Sequence, residues 1–199
     1  MPTFGNTDEN ITWSTLEQYT MGGFHNTNNE NSITPESITF YVRVQGNTYN
    51  SRLQTAIYEY IDYSSSYAGD MIISSNAVTQ NITNGWSGWI TINFSGSTIL
   101  SPNTNYYLLA YGEWHIFAGI DMGLSQIGGS VTDIFKSALS IGDAFPDPFT
   151  GESASTHQRM IYCTYSEVAG GGTTNQFGFQ GEGNMVLGHG SGRLTIKGN

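Results

Sequence analysis

"SITFYVRV", residues 37 to 44, places Ile38, Phe40, Val42 and Val44 on one face and Thr39, Tyr41 and Arg43 on the other. A period of two with one apolar side marks a half-buried β-strand, because successive side chains of an extended chain point to opposite faces. "RLQTAIYEY" (52 to 60) reads the same way. "MIISSNAVT" (71 to 79) follows, then "GWITINFS" (88 to 95), in which Ile90, Ile92 and Phe94 align. "NYYLLAYG" (105 to 112) is apolar on both faces, as a central strand of a two-layer structure is. "HQRMIYCTYS" (157 to 166) ends the series, and the clusters "GNTYN", "YAGD", "NGWSG" and "LSPNTN" mark turns.

No long helical period interrupts these runs. In "VTDIFKSALSI" (131 to 141) a helical turn competes with extended chain, and its Thr, Val and Ile count against the helix. Many short strands separated by turns predict an all-β antiparallel sandwich of jelly-roll type, with about eight to ten strands. Trp86 and Trp89 flank a strand and are expected in its core. The single cysteine, Cys163, forms no internal disulfide and is expected as a small buried side chain.

A chain of 199 residues suffices for one core and an appendage. Aromatic residues reach 13% against 11% charged, a balance that excludes disorder as the general state. Six basic against 16 acidic residues give a net charge of −10. Phosphate backbones and anionic membranes are bound through Lys and Arg, so neither nucleic acid nor a membrane surface is an expected partner. The longest apolar run, "YYLLAY" (106 to 111), is too short to span a bilayer. The opening Met1-Pro2-Thr3-Phe4 runs directly into polar sequence, with no basic and apolar leader. That suggests a mature secreted piece, or a protein assembled where it is made, as a virion component is.

The succession of "IY" at Ile57-Tyr58, "GW" at Gly85-Trp86, "LSPNTNYYL" (100 to 108), "FPDPF" (145 to 149) and "IYCTYS" (161 to 166) resembles bacterial and phage β-sandwich modules related to carbohydrate-binding modules. The resemblance covers about residues 10 to 167 and implies the sandwich fold. It implies no single activity, because such modules sit beside anchors, enzymes or fibres. Residues 1–167 are thus expected to form the sandwich, and the Gly-rich 168–175 a flexible linker.

The closing "GNMVLGHGSGRLTIKGN" (183 to 199) resembles short β-segments of phage fibres and trimeric adhesins, with Gly183-Asn184, Val186, Gly188, Gly190, Leu194, Ile196 and Gly198 matching. It lacks the proline of that pattern. The resemblance implies that 176–199 is an oligomerisation segment, with Phe177, Phe179, Met185, Val186, Leu187, Leu194 and Ile196 buried between copies. Pieces so short cannot bury enough surface alone.

Catalytic signatures are missing. His25, His115, His157 and His189 are scattered, and no HExxH, CxxC or GxSxG occurs, so an enzyme is not expected. Glycan binding calls for exposed aromatic rings beside polar groups. Trp114 and His115 in "GEWHIF", and Tyr60, Tyr63 and Tyr67 in the tyrosine-rich loop, are the candidates. No cofactor is expected except a structural Ca²⁺, for which Asp8, Asp121, Asp143 and Asp147 supply oxygen ligands if they converge. The aspartates of "GDAFPDPF" equally suit turn capping.

The expected function is that of a non-enzymatic virion surface protein: a capsid decoration, head-fibre or tail-fibre component. Its expected partners are itself, with a homotrimer favoured, a capsid or fibre protein, and host glycans. A carbohydrate-binding module of a secreted or cell-surface protein is the first alternative. An extracellular filament subunit joined by donor strands is the second.

Overall fold

The alternation at 37 to 44 is the middle of the longest strand among the described residues. The structure, a computed structural model, describes residues 1–7, 11–15, 19–46, 49–61, 67–112, 118–125, 133–137, 145, 147–150, 153–155 and 158–168. In chain order the strands are β1 (Thr3–Gly5), β2 (Ile11–Thr15), β3 (Tyr19–Asn26), β4 (Ile33–Gly46), β5 (Tyr49–Glu59), β6 (Tyr67–Gly69), β7 (Met71–Ser74) and β8 (Val78–Ile82). They continue as β9 (Ser87–Asn93), β10 (Asn105–Gly112), β11 (Ala118–Ser125), β12 (Asp133–Ser137), β13 (Phe149–Thr150), β14 (Ser153–Ser155), β15 (Gln158–Arg159) and β16 (Ile161–Glu167). The competing helix is absent from the described part of 131–141, where Asp133–Ser137 is the strand β12.

In the first sheet β2, β11, β4 and β9 lie side by side. β16 continues the β11 side of β4, with β1 outside it, and β15 extends the same sheet beside β11. The second sheet runs β12, β3, β10, β5, with β7 and β8 sharing the far edge of β5 and β14 beyond β12. Among the described strands every pairing is antiparallel. Two four-stranded layers, β2–β11–β4–β9 and β3–β10–β5–β8, make a jelly roll.

The core explains the register. Ile38, Phe40 and Val42 of β4, Ile90 and Ile92 of β9, and Ile161 and Cys163 of β16 pack with Leu53 and Ile57 of β5 and Leu108 and Ala110 of β10. These residues are 8% exposed or less, and a one-residue slip of any strand would turn its apolar set outward.

β10 is buried on both sides. Its other face, Tyr107, Leu109 and Tyr111, joins Ala56 and Tyr58 of β5 under Phe145 and Phe149. Phe149 lies 5.5 Å from the Tyr58 ring and Phe145 6.5 Å from Tyr111, centroid to centroid. β13, at the end of this strap, pairs with β6 in a separate two-stranded ribbon. "FPDPF" is therefore a cover for the second sheet. Asp147 in it is exposed and accepts a 2.9 Å hydrogen bond from the Met71 N–H.

The single run read at 71 to 79 is two strands. Residues 75–77 stand opposite only two residues of β5 between the Ala56–Ser74 and Leu53–Val78 pairs. Such an excess bulges the edge. Buried Ser75 stitches the gap: its N–H donates to Thr55 O at 2.8 Å and its Oγ accepts from the Thr55 N–H at 3.0 Å.

Met1–Val168 forms one compact unit. Its last described strand is tied to the loop before β4: Val168 N–H donates to Ser32 O, and the Glu167 carboxylate accepts from the Asn29 and Asn31 amides at 3.4 and 3.3 Å.

Candidate functional site

The outer face of the first sheet carries the site. On β4 the residues out of phase with the core are Ser37, Thr39, Tyr41 and Arg43. β9 sets Asn93, Thr91, Trp89 and Ser87 opposite them, and β16 sets Thr164 and Tyr162 opposite Ser37 and Thr39 on the other side. Register alone thus gathers three aromatic rings. Trp89 lies 5.1 Å from Tyr41 at 78°, and 5.3 Å from Tyr162 at 60°. All three are half-buried. The Thr39 and Thr91 hydroxyls share a 2.8 Å hydrogen bond between the rings. Thr91 and Asn93 are exposed on the edge strand β9.

Edge-to-face pairs contribute about 0.5–1.5 kcal/mol beyond the area they bury. They also hold the rings in place, so that any ligand would meet a surface already ordered. Along β9, Thr91 and Asn93 offer a hydroxyl and an amide, which donate and accept hydrogen bonds without carrying charge, while Arg43 follows Tyr41 on β4.

This corrects the expectation for the tryptophans. Trp89 lies on the face opposite the core, and Trp86 is 37% exposed. Trp86 follows the Gly85 turn (φ 79°), and its ring lies over Gly88, where a β-carbon would come within 2.8 Å of it. The sequence carried the signal for Trp89 and Tyr162. Each stands out of phase with buried neighbours: Trp89 with Ile90 and Ile92, Tyr162 with Ile161 and Cys163.

Of the sequence-predicted glycan residues, Tyr60 is half-buried on the second sheet, 5.4 Å from the Tyr107 ring beside the strap-covered cluster. Tyr67 opens β6 opposite Thr150. Trp114, His115 and Tyr63 lie outside the described residues, as do Phe177, Phe179, Met185, Val186, Leu187, Leu194 and Ile196. Asp8 and Asp143 also lie outside them. Asp121 is on β11, in register with Arg43 and Thr15, while Asp147 serves the strap. Among the described residues no three His, Cys, Asp or Glu side chains gather as metal ligands.

The ionisable side chains of His25 and Cys163 are buried apart from this face. Burial lowers the His25 imidazole from 6.5 to about 4, since its charged form would lose hydration, and its Nε2 is buried without a hydrogen-bond partner. Burial pushes the Cys163 thiol well up, and a hydrogen bond to the Glu36 backbone acts against it while the Glu36 charge adds to it. Neither group has the exposure that a nucleophile or general base needs.

The sequence matches no protein-family model and no curated protein.

Proposed function

We propose that the chain is a non-enzymatic surface structural protein of virion type, a capsid-decoration, head-fibre or tail-fibre component, whose sandwich carries a recognition face. The observation that carries this reading is the row of half-buried rings Tyr41, Trp89 and Tyr162 on the outer face of a jelly roll. Pre-ordered aromatic rings with uncharged Thr91 and Asn93 beside them suit binding. Jelly rolls recur in viral capsid and lectin domains, an analogy of fold that supports the reading without carrying it. The fibre-like sequence of 176–199 supports assembly into a homo-oligomer, a trimer by that resemblance, on the surface of a virion.

The same aromatic row favours a second reading, a carbohydrate-binding module of a secreted or cell-surface protein. Light scattering on the full chain and on a chain ending at Ala169 separates the two. A trimer that becomes a monomer on truncation supports the structural protein. Two monomers reject self-assembly through the tail and favour the binding module.

A further inference from the structure

The aromatic row also bears on what it binds. We infer that the face formed by Tyr41, Trp89 and Tyr162 takes a single chain of neutral pyranose sugars, an inference that rests on reading this face as a recognition surface.

A pyranose offers C–H bonds on its ring faces and hydroxyls around its rim. The negative face of an aromatic ring attracts the C–H bonds. Thr91 and Asn93, exposed along β9 within one and two pair positions of Trp89, supply groups that both donate and accept, as sugar hydroxyls do. These fringe groups carry no charge. Arg43 falls one row beyond Tyr41 and stands in register with Ser87 and Asp121, so its row holds one formal charge of each sign. With a net charge of −10, the chain repels polyanionic glycans at long range.

The ring angles choose between a free chain and a flat solid. A crystalline polysaccharide presents a plane, and contact with it at several points needs coplanar rings. Interplanar angles of 78° and 60° tilt Trp89 away from both tyrosines, so the three rings do not form one flat platform. Tilted rings instead engage one sugar, or successive sugars of a chain that twists.

The test uses the full chain, its Trp89→Ala and Tyr162→Ala variants, and five probes. Cellohexaose, mannohexaose and maltohexaose are neutral and soluble, polygalacturonate is anionic, and microcrystalline cellulose is flat. Affinities are read by calorimetry, or by depletion for the solid, and thermal melts check that the variants fold. The inference expects at least one neutral hexasaccharide to bind, and about tenfold or more of its affinity to be lost in Trp89→Ala. Preferential binding to polygalacturonate or to the solid, lost in Trp89→Ala, overturns the neutral-chain inference and leaves the recognition face standing. Binding of a hexasaccharide with equal affinity by wild type and both folded variants overturns the assignment to this face. No binding to any of the five overturns the inference. If Trp89→Ala then also leaves binding to a broad glycan array and to the host surface unchanged, the recognition reading falls with it.

Discussion

Gly22 of β3 lies against the main chain at Leu108 of β10, and a β-carbon at Gly22 would overlap the Leu108 carbonyl oxygen. The two strands pair from Tyr111–Thr20 to Asn105–Asn26, so this contact sits in the middle of the second sheet. Gly22→Ala has no flexible side chain to push aside. It is expected to destabilise the sandwich by about 1–3 kcal/mol or more, as overpacking does, which urea unfolding measures. A melting temperature equal to wild type would show that the sheet absorbs the methyl.

His25 predicts a pH dependence. The unfolded chain protonates this imidazole near 6.5, and the folded chain only near 4. The unfolded state therefore binds more protons between these values, and the contribution is fully present above about pH 6.5. It is lost as pH falls towards 4, by at most about 3 kcal/mol. Urea midpoints at about pH 7 and about pH 5 should drop for wild type and drop less for His25→Gln. Equal slopes in the two proteins would remove His25 as the cause.

Cys163 is fully buried, and its Sγ–H donates to the Thr164 carbonyl oxygen at 3.4 Å. With its pKa raised by burial, it should react with a thiol reagent only when the sandwich opens. The labelling rate should rise with urea in step with unfolding. Rapid labelling of the native protein at neutral pH is the contrary result.

The strap gives a fourth prediction. Phe149 is fully buried against Tyr58 and belongs to the cluster on the outer side of β10. Phe149→Ala should cost about 3–5 kcal/mol of stability. It should leave the proposed sugar binding at Trp89 unaffected, because that face belongs to the other sheet. Calorimetry and thermal melts on the same variant separate the two effects.

The strands legible in the sequence were those with a clear phase. β4, β5, β9 and β10 follow the runs read at 37 to 44, 52 to 60, 88 to 95 and 105 to 112. β3 and β11 did not stand out, since "YTMGGFHN" and "AGIDMGLS" interrupt any alternation with glycine. In β3 the cause is now physical: Gly22 is required by the close approach of β10. The aromatic face of the first sheet was hidden for another reason. Tryptophan beside a strand reads as core on hydrophobicity, and only its phase against Ile90 and Ile92 puts it outside. Tyr41, Trp89 and Tyr162 come from three strands far apart in the chain, so only the register brings them together.

The pairing of β1 with β16 has a mechanical consequence. Thr3 faces Thr164, Gly5 faces Tyr162, and Tyr165 N–H donates to Pro2 O, so the first and last strands of the unit meet with their outer ends side by side. A pull applied at residues 1 and 168 would load this ladder from one end, rupturing its hydrogen bonds in succession instead of all together. Under tension the unit should peel at β1 at low force, and the jelly roll beneath would yield only afterwards. Any load carried between those two ends would thus be met first by the three-residue strand β1.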